Sequence, residues 1–169
     1  MRAVPAPFVA AAGSDALRTT AACYHCGEAL PASPARLRVE GVERAFCCDG
    51  CAAATQWIRD AHLDDYYRLR SEPAARVAAD DDADLALWDR DEVIAAHARA
   101  IPGGRELTLL TDGMRCAACA WLIDRALARE PGVLEVSANA VTGRIRIAWD
   151  PALTPLSLPL GRLAALGYR

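Results

Sequence analysis

The chain has no lysine: all 19 of its arginine-or-lysine residues are arginine, against 22 acidic residues and a net charge of −3. We attach no function to that bias. No basic stripe of the kind that tracks a phosphate backbone is present, so a nucleic-acid partner is not expected. No run approaches the roughly 18 consecutive apolar residues of a membrane span. The nearest thing to a targeting segment, residues 4–12, is short and holds Pro5 and Pro7, so it reads as tail rather than as a secretory signal. An even cysteine count is missing too. The seven cysteines fall in close pairs and a triplet, which points away from a secreted disulfide framework and toward metal or redox chemistry in a reducing compartment. What is present is a 53% hydrophobic chain of 169 residues, enough for one or two domains with small, alanine-rich cores.

Composition divides the chain into four parts. Residues 1–20 read as a disordered tail. Residues 21–70 hold one cysteine cluster and end in the aromatic, arginine-rich run Tyr66-Tyr67-Arg68-Leu69-Arg70. Residues 71–104 read as a linker, with the acidic run Asp80-Asp81-Asp82 and a short helix over 91–100 that Pro102-Gly103-Gly104 ends. Residues 105–169 carry a sharper pattern. A strand precedes Gly113, and Cys119, Leu122, Ile123, Ala126 and Leu127 repeat at helical spacing until Pro131-Gly132. Leu134, Val136 and Ala138, then Ile145, Ile147 and Trp149, alternate as two strands of a hairpin across Thr142-Gly143. A second apolar-faced helix over 156–166 ends at Gly167. The order strand, helix, strand, strand, helix is an α+β, split βαβ arrangement lacking most of its last strand, which leaves a sheet edge open. The chain reads as a piece of something longer.

Cys23-x-x-Cys26 and a second group, Cys47, Cys48 and Cys51, have nearly the two-pair spacing of a four-thiolate metal site. A knuckle, a hairpin near Glu40-Gly41 and ligands at a helix start resemble a treble-clef finger. Zinc or copper could occupy it. Spacing does not choose between Cys47 and Cys48 for the fourth position, and a spare fifth thiol is either redundant or a handover ligand. His25, inside the first pair, is expected to face solvent.

Cys116-Ala117-Ala118-Cys119 lies on a loop running into a helix start, where the helix dipole favours thiolate. Two thiolates are too few for a tetrahedral zinc site but suit two-coordinate Cu(I). A thioredoxin-like redox pair and a pair of inert buried thiols are the competing readings. The absence of proline between the sulfurs and the small size of the unit argue against the redox fold. Trp121 lies about 200° around the helix from Cys119 and is expected as an exposed docking contact.

The stretch Asp112-Gly113-Met114-Arg115-Cys116-Ala117-Ala118-Cys119, with Pro131-Gly132-Val133 and Gly167-Tyr168, resembles the heavy-metal-associated domain over residues 105–169. Trp121-Leu122-Ile123 and Trp149-Asp150-Pro151 resemble the branch found in copper-translocating P-type ATPases linked to assembly of cbb3-type oxidases. Cys23-Tyr24-His25-Cys26-Gly27, Phe46-Cys47-Cys48-Asp49-Gly50-Cys51 and the Tyr66–Arg70 run resemble the metal-binding region at the N-terminus of those pumps. The resemblance implies a ferredoxin-like domain with Cu(I) at Cys116 and Cys119, and Zn(II) or Cu(I) at the first cluster. It implies Met114 and Tyr168 packed behind the thiols, and a cytoplasmic region of an inner-membrane protein. A copper chaperone and the rest of the transporter would be its partners. The Asp-Lys-Thr-Gly phosphorylation motif and the Cys-Pro-Cys membrane site of such pumps do not occur here, so no catalysis is expected from these residues. A freestanding metallochaperone or metal sensor is the alternative, and a thiol–disulfide oxidoreductase the third reading.

Overall fold

The computed structural model describes residues 21–77 and 84–169. The expectations for residues 1–20 and for the acidic run 80–82 lie outside the described residues.

The first half is built around a short hairpin, β1 (Ala35–Val39) and β2 (Val42–Phe46). Its turn residues Glu40 and Gly41 both take positive φ, 50° and 80°, the twist-matched geometry of two-residue hairpins. Helix α1 (Asp49–Asp60) follows with Cys48 as its N-cap, and α2 (Asp65–Leu69) closes the unit. Phe46, Ile58 and Tyr66 are fully buried between these elements.

After a 3-10 turn and α3 (Asp91–His97), the chain forms β3 (Arg99–Ile101) and β4 (Gly104–Leu110), then α4 (Ala117–Leu127), β5 (Val133–Asn139), β6 (Arg144–Trp149) and α5 (Ser157–Ala165). The four strands pair antiparallel in the order β3-β4-β6-β5. The apolar residues of α4 expected from their spacing are all buried, with Cys119, Leu122, Ile123, Ala126 and Leu127 at 0% exposure. They face Leu107, Ile145, Ile147 and Trp149, which the central strands present on one side of the sheet. Each such aliphatic residue contributes roughly 1.5–3 kcal/mol on burial, so this face holds the α/β layers together.

Three expectations are corrected here. The helix stops at His97, and Arg99–Ile101 turn back as an edge strand on β4. Pro102-Gly103 is therefore a hairpin turn, with proline fixing φ and Gly103 at φ 79°, rather than a helix stop. The edge expected to lie open is thus paired over Gly104–Glu106 by a strand that precedes it, and beyond that Asp112 N–H donates to Arg169 O at 2.9 Å. In β5 a register shift between Val133 and Glu135 breaks the alternation, leaving Leu134 52% exposed instead of in the core. A bulge of this kind turns the intervening side chain to the other face.

The opposite face of the sheet carries an ion chain across all four strands. Glu106 on β4 accepts from Arg99 on β3 at 2.7 Å and from Arg146 on β6 at 2.9 Å, and Arg146 also pairs with Glu135 on β5. Arg99 first, then Arg146, hold the Glu106 carboxyl below its ordinary value of 4.5. A carboxyl lowered by folding stabilises the fold above its unfolded pKa and loses that contribution as pH falls through the folded value. Glu106→Gln should therefore lower the melting temperature at pH 7. The gap from the parent protein should narrow by about pH 3, as thermal melts at the two pH values will show.

Candidate metal centres

Four thiols meet in the first half. The turn at Cys23–Cys26 is closed by Gly27 N–H to Cys23 O at 2.9 Å and Cys23 N–H to Glu28 O at 2.8 Å, with Gly27 at φ 77°. Cys47 follows the end of β2 and Cys51 lies in the first turn of α1. The Sγ atoms of Cys23, Cys26, Cys47 and Cys51 all lie within 4.8 Å of one another. Cys26 and Cys47 are 3.5 Å apart and Cys47 and Cys51 3.7 Å. Cys48 lies at the edge of the group: its Sγ is 3.8 Å from Cys47 Sγ, while its thiol donates to Val77 O at 3.5 Å and lies beside Arg76. The four-thiol group is thus built from Cys47, and Cys48 is left next to it. Burial pushes the Cys47 thiol up to about 12 and Cys51 up as well. Burial also opposes ionisation of Cys23, but hydrogen bonds with the backbone of Cys26, Cys47 and His25 outweigh it and lower that thiol. Four crowded sulfurs of this kind have the donor set of a tetrahedral soft-metal site, where the cation itself would draw off the protons.

His25 does not face solvent. It is 1% exposed, and its Nδ1 lies 2.9 Å from Tyr67 Oη. Tyr67 donates to Thr55 Oγ1 at 2.8 Å, and Thr55 donates to Cys51 O at 2.9 Å. The phenol proton is therefore engaged, so Nδ1–H is the donor to Tyr67, and Nε2 is left as a buried acceptor with no hydrogen bond among the described residues. Burial first, then the Arg70 charge, lower the His25 pKa to about 3. Nothing in the local sequence marks this, because the partner Tyr67 lies 42 positions away.

The second thiol pair sits at the start of α4. Cys116 is the N-cap in extended conformation, and Cys119 Sγ lies 3.6 Å from Cys116 Sγ. The thiols are 9% and 0% exposed. Burial raises the Cys116 thiol, but hydrogen bonds with the backbone of Cys119 and Ser71, the Cys119 side chain and the Ala118 backbone carry it below its ordinary value. Gly113 is required by close approach: a Cβ there would sit 3.0 Å from both Ala75 Cβ and Gly167 O. Met114 is buried in the core, as is Tyr168 at 2% exposure. The Tyr168 hydroxyl makes no hydrogen bond among the described residues, and it lies close enough to Tyr66 and Cys119 for their charges to bear on it. Trp121 is half-buried against the apolar core rather than exposed.

Sequence reasoning missed Tyr66. Its hydroxyl, carried on α2 of the first half, is 3.9 Å from Cys119 Sγ. The available signal was Arg70 after Tyr66 and Tyr67, an aromatic–arginine spacing that stacks on one helix face. Arg70 does lie over both rings, 5.9 Å and 4.8 Å from their centroids.

Comparison with known proteins finds two matches along the chain. Residues 22–101 match the family described as "Putative metal-binding domain of cation transport ATPase", and residues 108–168 match the heavy-metal-associated domain. The chain is 36% identical over 64 residues to a copper-exporting P-type ATPase of Bacillus subtilis, covering 38% of this chain and 8% of that protein. It is 39% identical over 56 residues to a zinc-transporting ATPase of Synechocystis, covering 33% and 8%. Among solved structures, the solution structure of a singly substituted CopA with copper, from Bacillus subtilis, is 36% identical, covers 38% of this chain and 84% of that one, and superposes with a TM-score of 0.35. The chain spans less than a tenth of the length of these curated relatives.

Tyr67→Phe strands the buried His25 Nδ1–H and should cost about 1–3 kcal/mol, read as a lower urea midpoint with an unchanged slope.

Proposed function

We propose that this chain, whose residues 22–101 match the putative metal-binding domain of cation transport ATPases and whose residues 108–168 match the heavy-metal-associated domain, takes up one Cu(I) between Cys116 and Cys119 and passes it on to an acceptor site of a transporter. The observation that carries this reading is the buried thiol pair, 3.6 Å apart, at a helix start. The ion keeps its oxidation state. Each cysteine loses a proton as its sulfur bonds to the ion, and the departing donor thiolates take up protons in turn. Exchange runs through three-coordinate intermediates, in which an incoming thiolate joins before one of the original two leaves.

Zinc is the second reading, favoured by the zinc-transporting relative. A tetrahedral zinc at this pair needs two further ligands. The group of three or more cysteine, histidine or carboxylate donors found among the described residues is the other one, Cys23, Cys26, Cys47 and Cys51. That cluster is the better home for zinc, and four thiolates there also accept Cu(I). Met114 and Tyr168 pack behind the pair and shape it without binding. A thiol-bearing copper chaperone is the donor, and the membrane and ATP-hydrolysing parts of a pump are the acceptor side.

Competition titration under reducing conditions, with the first cluster filled with Zn(II), tests this. The parent protein should bind one further Cu(I), and Cys116→Ser/Cys119→Ser should abolish it. Unchanged Cu(I) affinity in the double variant would sink the reading. At the first cluster, Cys47→Ser should lose bound Zn(II) while Cys48→Ser keeps it, as counted by metal analysis after gel filtration.

A further inference from the structure

The Cys116–Cys119 pair is not open to an incoming thiolate, and what covers it comes from the other half of the chain. Tyr66 of α2 places its hydroxyl 3.9 Å from Cys119 Sγ. The backbone of Ser71 lies within hydrogen-bond reach of the Cys116 thiol. Ala75 packs so closely on the Gly113 loop that a Cβ at Gly113 would meet its methyl at 3.0 Å, and a Cβ at Gly167 would lie 2.9 Å from Ala75 O. Away from the thiols two clasps hold the halves together. The Arg129 guanidinium donates to Ala61 O at the end of α1, and the Arg162 guanidinium lies 4.4 Å over the Trp57 ring.

We propose that the Cys-rich unit, through Tyr66 and residues 71–75, is a cover on the Cys116–Cys119 site, and that an ion enters or leaves only when the two halves part at the Arg129–Ala61 and Arg162–Trp57 clasps. The partner the opened site admits is a donor or acceptor that presents a thiolate. The covered loop has no room for that third sulfur, since Cys119 is 0% exposed and Tyr66 occupies the approach to it. The cover also keeps oxidants from two thiols that would otherwise form a disulfide. This rests on the pair being an ion-exchange site, but the occlusion can be read without any ion.

The test uses the full chain and a clasp variant, Trp57→Ala/Arg129→Ala, which leaves all seven cysteines in place. Timed alkylation of the reduced, ion-free protein is followed by peptide mass spectrometry. Cys116 and Cys119 should react at least tenfold faster in the variant, with Cys23 and Cys26 unchanged as the check that the first unit is still folded. Cu(I) capture from a small dithiol complex should plateau with donor concentration in the parent protein, because opening limits it, and stay linear in the variant. Should the first unit unfold in that variant, Arg129→Ala alone gives the same comparison at smaller amplitude. Equal alkylation rates and equal capture kinetics in folded protein overturn the cover. Loss of Cu(I) binding in both proteins alongside unequal alkylation would instead refute the copper reading and leave the cover standing.

Discussion

Both thiol sites depend on where the Arg70 guanidinium sits. It donates to Tyr24 O at 2.7 Å and to His25 O at 2.6 Å, the two carbonyls inside the Cys23–Cys26 turn. Its plane lies over the rings of Tyr67 and Tyr24 at 4.8 and 5.6 Å. Charge-assisted bonds of roughly 1.5–3 kcal/mol each outweigh any one ring contact of roughly 0.5–2 kcal/mol, so the carbonyl pair sets the position and the rings follow. That fixes the first cysteine turn against α2. Since α2 also carries Tyr66 to Cys119, the same side chain ties the geometry of one thiol site to the covering of the other. A lysine could not replace it, because a point charge cannot fork to two carbonyls while stacking on rings.

The two sites differ in what they can do. The first has four thiols within reach of one another, so an ion there can be fully enclosed. Beside it stand His25, whose Nε2 has no hydrogen bond among the described residues, and Cys48, which touches Cys47 Sγ at 3.8 Å while donating to Val77 O. The second has two thiols and two buried phenols. An enclosed tetrahedron favours retention, and a two-sulfur site favours exchange, since fewer bonds must be broken to let an ion go.

Much of this was readable in the sequence because the signals are local. The period of α4 gives its buried face, and Glu40-Gly41 gives a hairpin turn. Cys-x-x-Cys at a helix start gives a thiol pair. The misreadings came where a distant partner decides the outcome. Residues 99–101 are too short to show a strand period and exist as β3 only because β4 offers an unpaired edge. Leu134 alternates correctly in sequence, but a one-residue shift against β6 sends it outward. The bond from Cys48 to Val77 O likewise joins residues 29 positions apart. His25 is decided by Tyr67, and the Tyr66–Cys119 approach spans 53 positions.

The edge strand β3 has a consequence for how the sheet assembles. It meets β4 across a two-residue turn, so its loop-closure cost is near the minimum a chain can have. The centre of the sheet joins β4 to β6 across about forty positions and must wait for α4 and β5 to be brought round. Contacts of short sequence separation form fastest. The β3–β4 hairpin can therefore exist before the central pairing does, and the stretch of β4 most able to recruit a stray strand is already occupied while the chain is still folding.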